Sequence, residues 1–238
     1  MALAFAVSEG QAHLYNTVMF KPPRRIETNQ TAHHTSLQKV VTKYLNSETK
    51  KPFSEHSLMA LQQVKTWLDD WQGELIFDSC CGVGESTVAI AKAHHHAKVI
   101  GIDKSAVRLD KHRAYTANGV TNYMVMRADL NDFWRLSVLE GWHLTKHYLL
   151  YPNPYPKASQ LQNRWYASSA LPDIIKLGGL LEVRSNWQLY IEEFAMALQL
   201  ANIQAKTKQY NADQAMTPFE RKYWGSGQSS WQLIAPLK

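Results

Sequence analysis

From Glu74 to Ser185 the chain alternates short apolar runs with helix-length amphipathic stretches, and this rhythm constrains the fold more than any other feature. "ELIFDS", "KVIGID", "YMVMR", "HYLLY" and "LLEVRS" read as strands. Between them stand "STVAIAKAHH", "AVRLDKHRAYTAN", "NDFWRLSVL" and a helix through Ile174–Lys176. Strands separated by helices form parallel βαβ units, so an α/β fold with a doubly wound, mostly parallel sheet is expected. Such sheets bind ligands at the carboxyl ends of their strands. After the helix "WQLYIEEFAMALQLA", the stretches "IQAKTKQY" and "SSWQLIAP" break the rhythm and predict two strands and an antiparallel edge. Upstream, "FSEHSLMALQQVKTWLDD" sets Leu58, Leu61, Val64 and Leu68 on one helical face, with Ser54 as N-cap.

The 238 residues suit one large domain with an appendage. Residues 1–52 have weak periodicity, a Pro22-Pro23 break and a polar tract; they read as a basic N-terminal arm with one short helix around Leu37–Leu45. Residues 53–238 form the sheet domain. Between Lys21 and Lys51, seven basic residues stand against Glu27 and Glu48, a net +5 of the chain's +6. That arm fits a polyanionic partner, and equally a solvated segment with none. No apolar run approaches the roughly 20 residues of a membrane span, and "MALAFAV" lacks the basic start of a secretory signal. Residence in the cytoplasm is the expectation, and the oligomeric state stays open, a monomer included. Cys80 and Cys81 are adjacent, a spacing that suits small residues in a tight turn rather than a disulfide or a zinc knuckle. The triplet His94-His95-His96 ends a helix with no carboxylate or thiol ligand nearby in sequence, and no metal is expected there or at His33-His34.

After the first strand comes "DSCCGVGES", in which Gly82 and Gly84 make a Gly-x-Gly turn ahead of a helix. Backbone N–H groups in such a turn approach a ligand closely. A dinucleotide fingerprint would place a third glycine where Thr87 stands, and no phosphate-loop lysine follows. Asp78, Asp103 and Asp129 close three consecutive strands. An acid at such a strand end can accept both ribose hydroxyls, although each also fits a helix N-cap. Adenosine without a pyrophosphate matches S-adenosyl-L-methionine better than a dinucleotide.

In the second half, "YPNPYPK", then "NRW", "LEVRSNWQLYIEEF" and "TPFERKYWGSG" appear in that order. This series resembles the bacterial tRNA (guanine-N7-)-methyltransferase family, over roughly residues 72–235. The resemblance implies a class I methyltransferase fold, a seven-stranded Rossmann-like sheet whose C-terminal strand is antiparallel. It implies S-adenosyl-L-methionine as cofactor, tRNA or another RNA as partner, and no membrane. On that resemblance Asp78, Cys80, Gly82, Gly84, Asp103, Lys104 and Asp129 fall on the donor site. Lys157, Arg164, Asn186, Thr217, Phe219 and Glu220 fall on the substrate side. Asn153 falls where the family keeps its catalytic aspartate, close to donor and base.

The chain departs from the family at named positions. Asn153 and Asn186 replace aspartates, Tyr155 replaces a tryptophan, and Ser159, Gln160 and Asn163 thin a basic run. Guanine N7 attacks with its lone pair, so the reaction needs placement and charge stabilisation rather than deprotonation. Asparagine keeps an acceptor and adds a donor but removes the negative charge. The activity implied is therefore N7 methylation of a tRNA guanine, slowed or redirected. Methylation of another base or an exocyclic amine, and an RNA-binding relative without catalysis, are the alternatives.

Overall fold

Leu75–Ser79 (β1) is buried at every position, as a strand covered on both faces of a parallel sheet must be. The computed structural model describes residues 25–237; "MALAFAV", Lys21, the Pro22-Pro23 break and Arg24 lie outside them. β1 sits between Lys98–Asp103 (β2) and Lys146–Leu150 (β4), both parallel to it. Tyr123–Arg127 (β3) pairs with β2, and Gly179–Ser185 (β5) with β4, again in parallel. Ser230–Leu237 (β7) runs antiparallel to β5 and to the edge strand Lys206–Tyr210 (β6). The seven-stranded order is β3-β2-β1-β4-β5-β7-β6. The expected antiparallel element is thus β7, one place in from the edge.

Alternation along β1 divides the core. Leu75 and Phe77 face a cluster with Leu37–Leu45 (α1), Glu55–Leu68 (α2), Leu130–Leu139 (α5), Leu171–Lys176 (α6) and Gln188–Leu200 (α7). Ile76 faces the other cluster, with Ile90 and Ala91 of Glu85–Ala93 (α3) and Met216 and Tyr223 packed around it. Arm helix α1 buries Leu37 and Val41 in the first cluster.

Two local expectations need correction. On α2, Leu61, Val64 and Leu68 are buried, but Leu58 is 45% exposed and Ser57 and Ala60 take the inner positions. Ser54 holds the N-cap position of α2 as expected, with its hydroxyl and N–H both donating to Asp132 Oδ2, at 2.6 and 2.9 Å, instead of a side-chain capping bond. The helix expected over 106–118 is a single turn, Ala106–Leu109 (α4), followed by a 3-10 turn at His112–Ala114. The segment lacks an apolar face to bury: Val107 is 69% exposed. His112 instead turns inward, its Nδ1 2.9 Å from the Val83 carbonyl and its ring edge-on to Tyr123.

Candidate methyl-donor and RNA site

Where β1 ends, Cys80, Gly82 and Gly84 all take positive φ, at 64°, 62° and 76°. At Gly84 no side chain fits, since a Cβ would stand 2.5 Å from His112 Nδ1. The turn is fastened from β2: Asp103 Oδ2 accepts the Gly82 N–H at 3.0 Å, and the Cys81 N–H reaches the Ile102 carbonyl at 3.1 Å. Burial pushes the Cys80 thiol up to about 12 and the Cys81 thiol well above its usual range, so both stay neutral.

Thr87, which stands in place of a third glycine, has a structural partner. Its hydroxyl donates to Asp78 Oδ2 at 2.7 Å, beside Ser86 Oγ at 2.7 Å. Gly101 of β2 makes room, since a Cβ there would lie 2.4 Å from Thr87 Oγ1. Asp78 is fully buried and its Oδ1 has no hydrogen-bond partner among the described residues. Burial outweighs the two hydroxyls and raises its pKa from 3.8 to about 6. The folded chain therefore holds this proton more tightly than the unfolded chain, and stability falls as pH rises from about 4 to about 6. Above that window the buried charge costs about 3 kcal/mol. Asp78→Asn keeps an acceptor for both hydroxyls and removes the charge. Its stability relative to the wild type is expected to be about 3 kcal/mol more favourable at pH 8 than at pH 4. Urea unfolding of both proteins at the two pH values checks this, and a pH-independent difference refutes it.

Asp103 ends β2 and is 1% exposed. Its Oδ1 accepts from the Ser105 N–H at 2.8 Å and from Arg108 Nη2 at 2.9 Å. Three of roughly four acceptor positions are filled, and the Arg108 side chain on one of them is 42% exposed. Asp129 follows β3 as the N-cap of α5, accepting the Asn131 N–H at 2.9 Å.

Above these acids, the exit of β4 forms a lip, "YPNPYPK". Tyr151 and Tyr155 take φ of 54° and 46°, left-handed values that aromatic residues rarely adopt. The Tyr151 N–H donates to the Arg184 carbonyl at 2.9 Å and its hydroxyl to Ser230 Oγ at 2.7 Å, while its ring packs on Tyr223. Between the tyrosines, Asn153 is exposed and its Oδ1 accepts the Tyr155 N–H at 3.4 Å. This Asx-type turn directs the amide oxygen into the lip.

A cavity of about 360 Å³ is lined by Asp103, Asp129 and the lip, whereas Asp78, Gly82 and Gly84 are buried beneath it and do not line it. Of the residues expected from sequence, it brings together Cys80, Asp103, Lys104, Asp129, Asn153 and Phe219. Phe219 is 38% exposed and stacks on Tyr223 at 6.1 Å. It sits on Pro218–Trp224 (α8), whose N-cap Thr217 accepts the Glu220 N–H at 3.0 Å. Thr217 and Glu220 lie below the cavity surface: the fully buried Glu220 accepts from Arg184 Nη1 at 2.7 Å and from the Met216 N–H at 2.6 Å. They fix the helix that carries Phe219. Arg221 of the same helix pairs with both oxygens of Glu85 at 2.7 Å.

The other expected residues lie apart. Lys157 is exposed at the foot of the lip. Asn186 follows β5 and donates to Gln228 Oε1 at 3.0 Å, beside a separate depression lined by Trp187 and Trp231. Arg164 is fully buried and paired with Glu193. Cavity residues that the sequence reading missed include Arg108, Asn131 and Trp165. Trp165 directly follows Arg164 in the "NRW" segment, which was the one available signal. Among the described residues no cluster of three or more His, Cys, Asp or Glu side chains could hold a metal. His96 pairs with Glu74 at 3.2 Å and His33 with Glu192 at 3.1 Å. No helix among the described residues is long and apolar enough to cross a membrane.

Known proteins bear on this geometry in three ways. The family model described as "Putative methyltransferase" matches residues 72–233. The tRNA (guanine-N(7)-)-methyltransferase of Shewanella pealeana is 24% identical over 173 residues, 68% of this chain and 73% of that protein. The 23S rRNA (uracil(1939)-C(5))-methyltransferase RlmD of Colwellia psychrerythraea is 31% identical over 83 residues, which span 34% of this chain and only 17% of that relative. Among solved structures, 16S rRNA methyltransferase KamB superposes with a TM-score of 0.56 at 15% identity, over 79% of this chain and 95% of that chain, a likeness of fold. The chain belongs to the methyltransferase family that this model defines, as a divergent member related to the tRNA (guanine-N7-)-methyltransferases.

Proposed function

We propose that this chain methylates RNA with S-adenosylmethionine as donor, at N7 of a tRNA guanine. The observation that carries the reading is one cavity lined by Asp103, Asn153 and Phe219 together. The relationship to tRNA (guanine-N7-)-methyltransferases supports it. The residues present fit the donor. Asp103 keeps a free acceptor position and gains a second when the exposed Arg108 swings away, enough for a ribose diol. At the turn, Cys80 lines the cavity, and nothing stands within 4 Å of a Cβ built at Gly82. The donor supplies an electrophilic methyl group on a sulfonium.

On the acceptor side Phe219, backed by Tyr223, offers a stacking face for a base. Lys157 provides a phosphate contact at the rim. With the donor bound, N7 would form its bond to the methyl carbon as the carbon–sulfur bond broke with its electron pair on sulfur, and no proton would leave the base. No general base is needed, so a neutral Asn153 can serve by placement. What it gives up is the negative charge that would offset the cationic ring. A second reading, transfer to an exocyclic amine, is favoured by the amide itself at position 153, in an Asn-Pro-Tyr-Pro order.

Mass spectrometry of nucleosides from RNA incubated with enzyme and donor tests both. 7-methylguanosine is expected. An N-methylated amine supports the second reading, and donor binding with no product on any RNA identifies a non-catalytic relative.

A further inference from the structure

Behind the lip lies a buried ion pair that the reaction does not use. Arg164 and Glu193 are both fully buried, 2.8 Å apart. A buried pair is tolerable only when its remaining donors and acceptors are filled. Here they are, and the partners come from three distant parts of the chain. Arg164 Nε donates to the Tyr155 carbonyl at 3.1 Å, and Nη2 to the Lys157 carbonyl at 3.3 Å and to Gln30 Oε1 at 2.9 Å. Nη1 donates to Glu193 and to the Tyr166 hydroxyl at 3.2 Å. All five guanidinium N–H positions are engaged. Glu193 in turn accepts from Gln30 Nε2 at 2.6 Å, from the Tyr166 hydroxyl, and from the His34 N–H.

Gln30 therefore bridges the two charges, its amide oxygen toward Arg164 and its nitrogen toward Glu193. The same segment grips the lip directly. The Thr28 hydroxyl donates to the Pro156 carbonyl at 2.6 Å, and Asn29 Oδ1 accepts the Ala158 N–H at 2.9 Å. We infer that residues 28–34 of the arm are part of the catalytic framework, and that Gln30 is a positioning residue acting through Arg164 on the lip that presents Asn153. The inference rests on the reading of that lip as the wall of the methyl-transfer site. The left-handed tyrosines give a reason for such a clamp. Backbone held in a rare conformation persists only where its surroundings over-determine it, and Tyr155 is held through its own carbonyl.

Gln30→Ala and Gln30→Met test this, the second keeping side-chain volume while removing the hydrogen bonds to Arg164, Glu193 and the Ala32 carbonyl. Hydrogen exchange read by mass spectrometry is expected to speed up about tenfold or more at the amides of Tyr155, Lys157 and Ala158 in both variants, with β4 unchanged. With RNA and donor, kcat is expected to fall about tenfold while donor affinity stays within about twofold, since placement suffers and the donor wall does not. Unchanged lip exchange overturns the inference. So does wild-type behaviour of Gln30→Met, which would reduce Gln30 to a space filler. Exchange needs no turnover, so failure of the methyltransferase reading, seen as absent donor binding in the wild type, is distinguishable from failure of the clamp.

Discussion

Asp103→Ala is expected to weaken binding of S-adenosylmethionine, or of its demethylated product, by about 100-fold. Under the proposed function Asp103 accepts the ribose diol, and hydrogen bonds to a charged acceptor contribute about 1.5–3 kcal/mol each. Losing two of them, partly compensated by water, leaves a deficit near 3 kcal/mol, about two decades in Kd. The same carboxylate fastens Gly82 and Ser105, so the turn beneath the donor loosens as well. Arg108→Ala is the control: it removes the guanidinium on Oδ1 and is expected to leave donor affinity unchanged or tighter. Calorimetric titration measures both variants. Asp103→Ala binding within about threefold of the wild type would remove Asp103 from the donor site.

Arg164→Met is expected to destabilise the protein by about 3–5 kcal/mol, because it leaves Glu193 charged, buried and without its counter-ion. For a chain of this size the midpoint of thermal unfolding should drop on the order of 10 °C. The double variant Arg164→Met/Glu193→Leu removes both charges and is expected to recover a good part of the loss, since matched apolar replacement of a buried pair is often neutral. A single variant within about 1 kcal/mol of the wild type would mean that Glu193 is not left as an unpaired buried charge. Reversible urea unfolding followed by circular dichroism gives the comparison. The contrast with Gln30→Ala is informative: one change strands a charge, the other only loosens a loop.

The sheet was legible because period and burial agree along each strand. In "ELIFDS" every strand position is apolar or becomes buried, and the helices between strands carry their own apolar faces. The stretch "AVRLDKHRAYTAN" misled because its residues have helical propensity but no apolar stripe, and His112 docks on the glycine turn instead. At the site, position along the strands was legible, and Asp103 and Asn153 line the same cavity at the strand ends. Direction was not. Nothing local distinguishes Arg164, surrounded by the arm, from Lys157, open to solvent seven residues earlier. Glu220, expected on the substrate side, pairs instead with Arg184 of a distant strand. Side chains whose partners lie far away in sequence carry no sign of them in their own neighbourhood.

The position of β7 has a consequence for how the molecule is made. It fills the gap between β5 and β6 and runs against both, so β5 keeps an open edge until α7, β6 and α8 have been synthesised. During translation that edge offers unpaired N–H and C=O groups next to a hydrophobic face, the arrangement most prone to pairing with a neighbouring nascent chain. Ser230 at the start of β7 is also the hydroxyl that receives Tyr151. The Tyr151 hydroxyl therefore gains this partner only once β7 has joined the sheet.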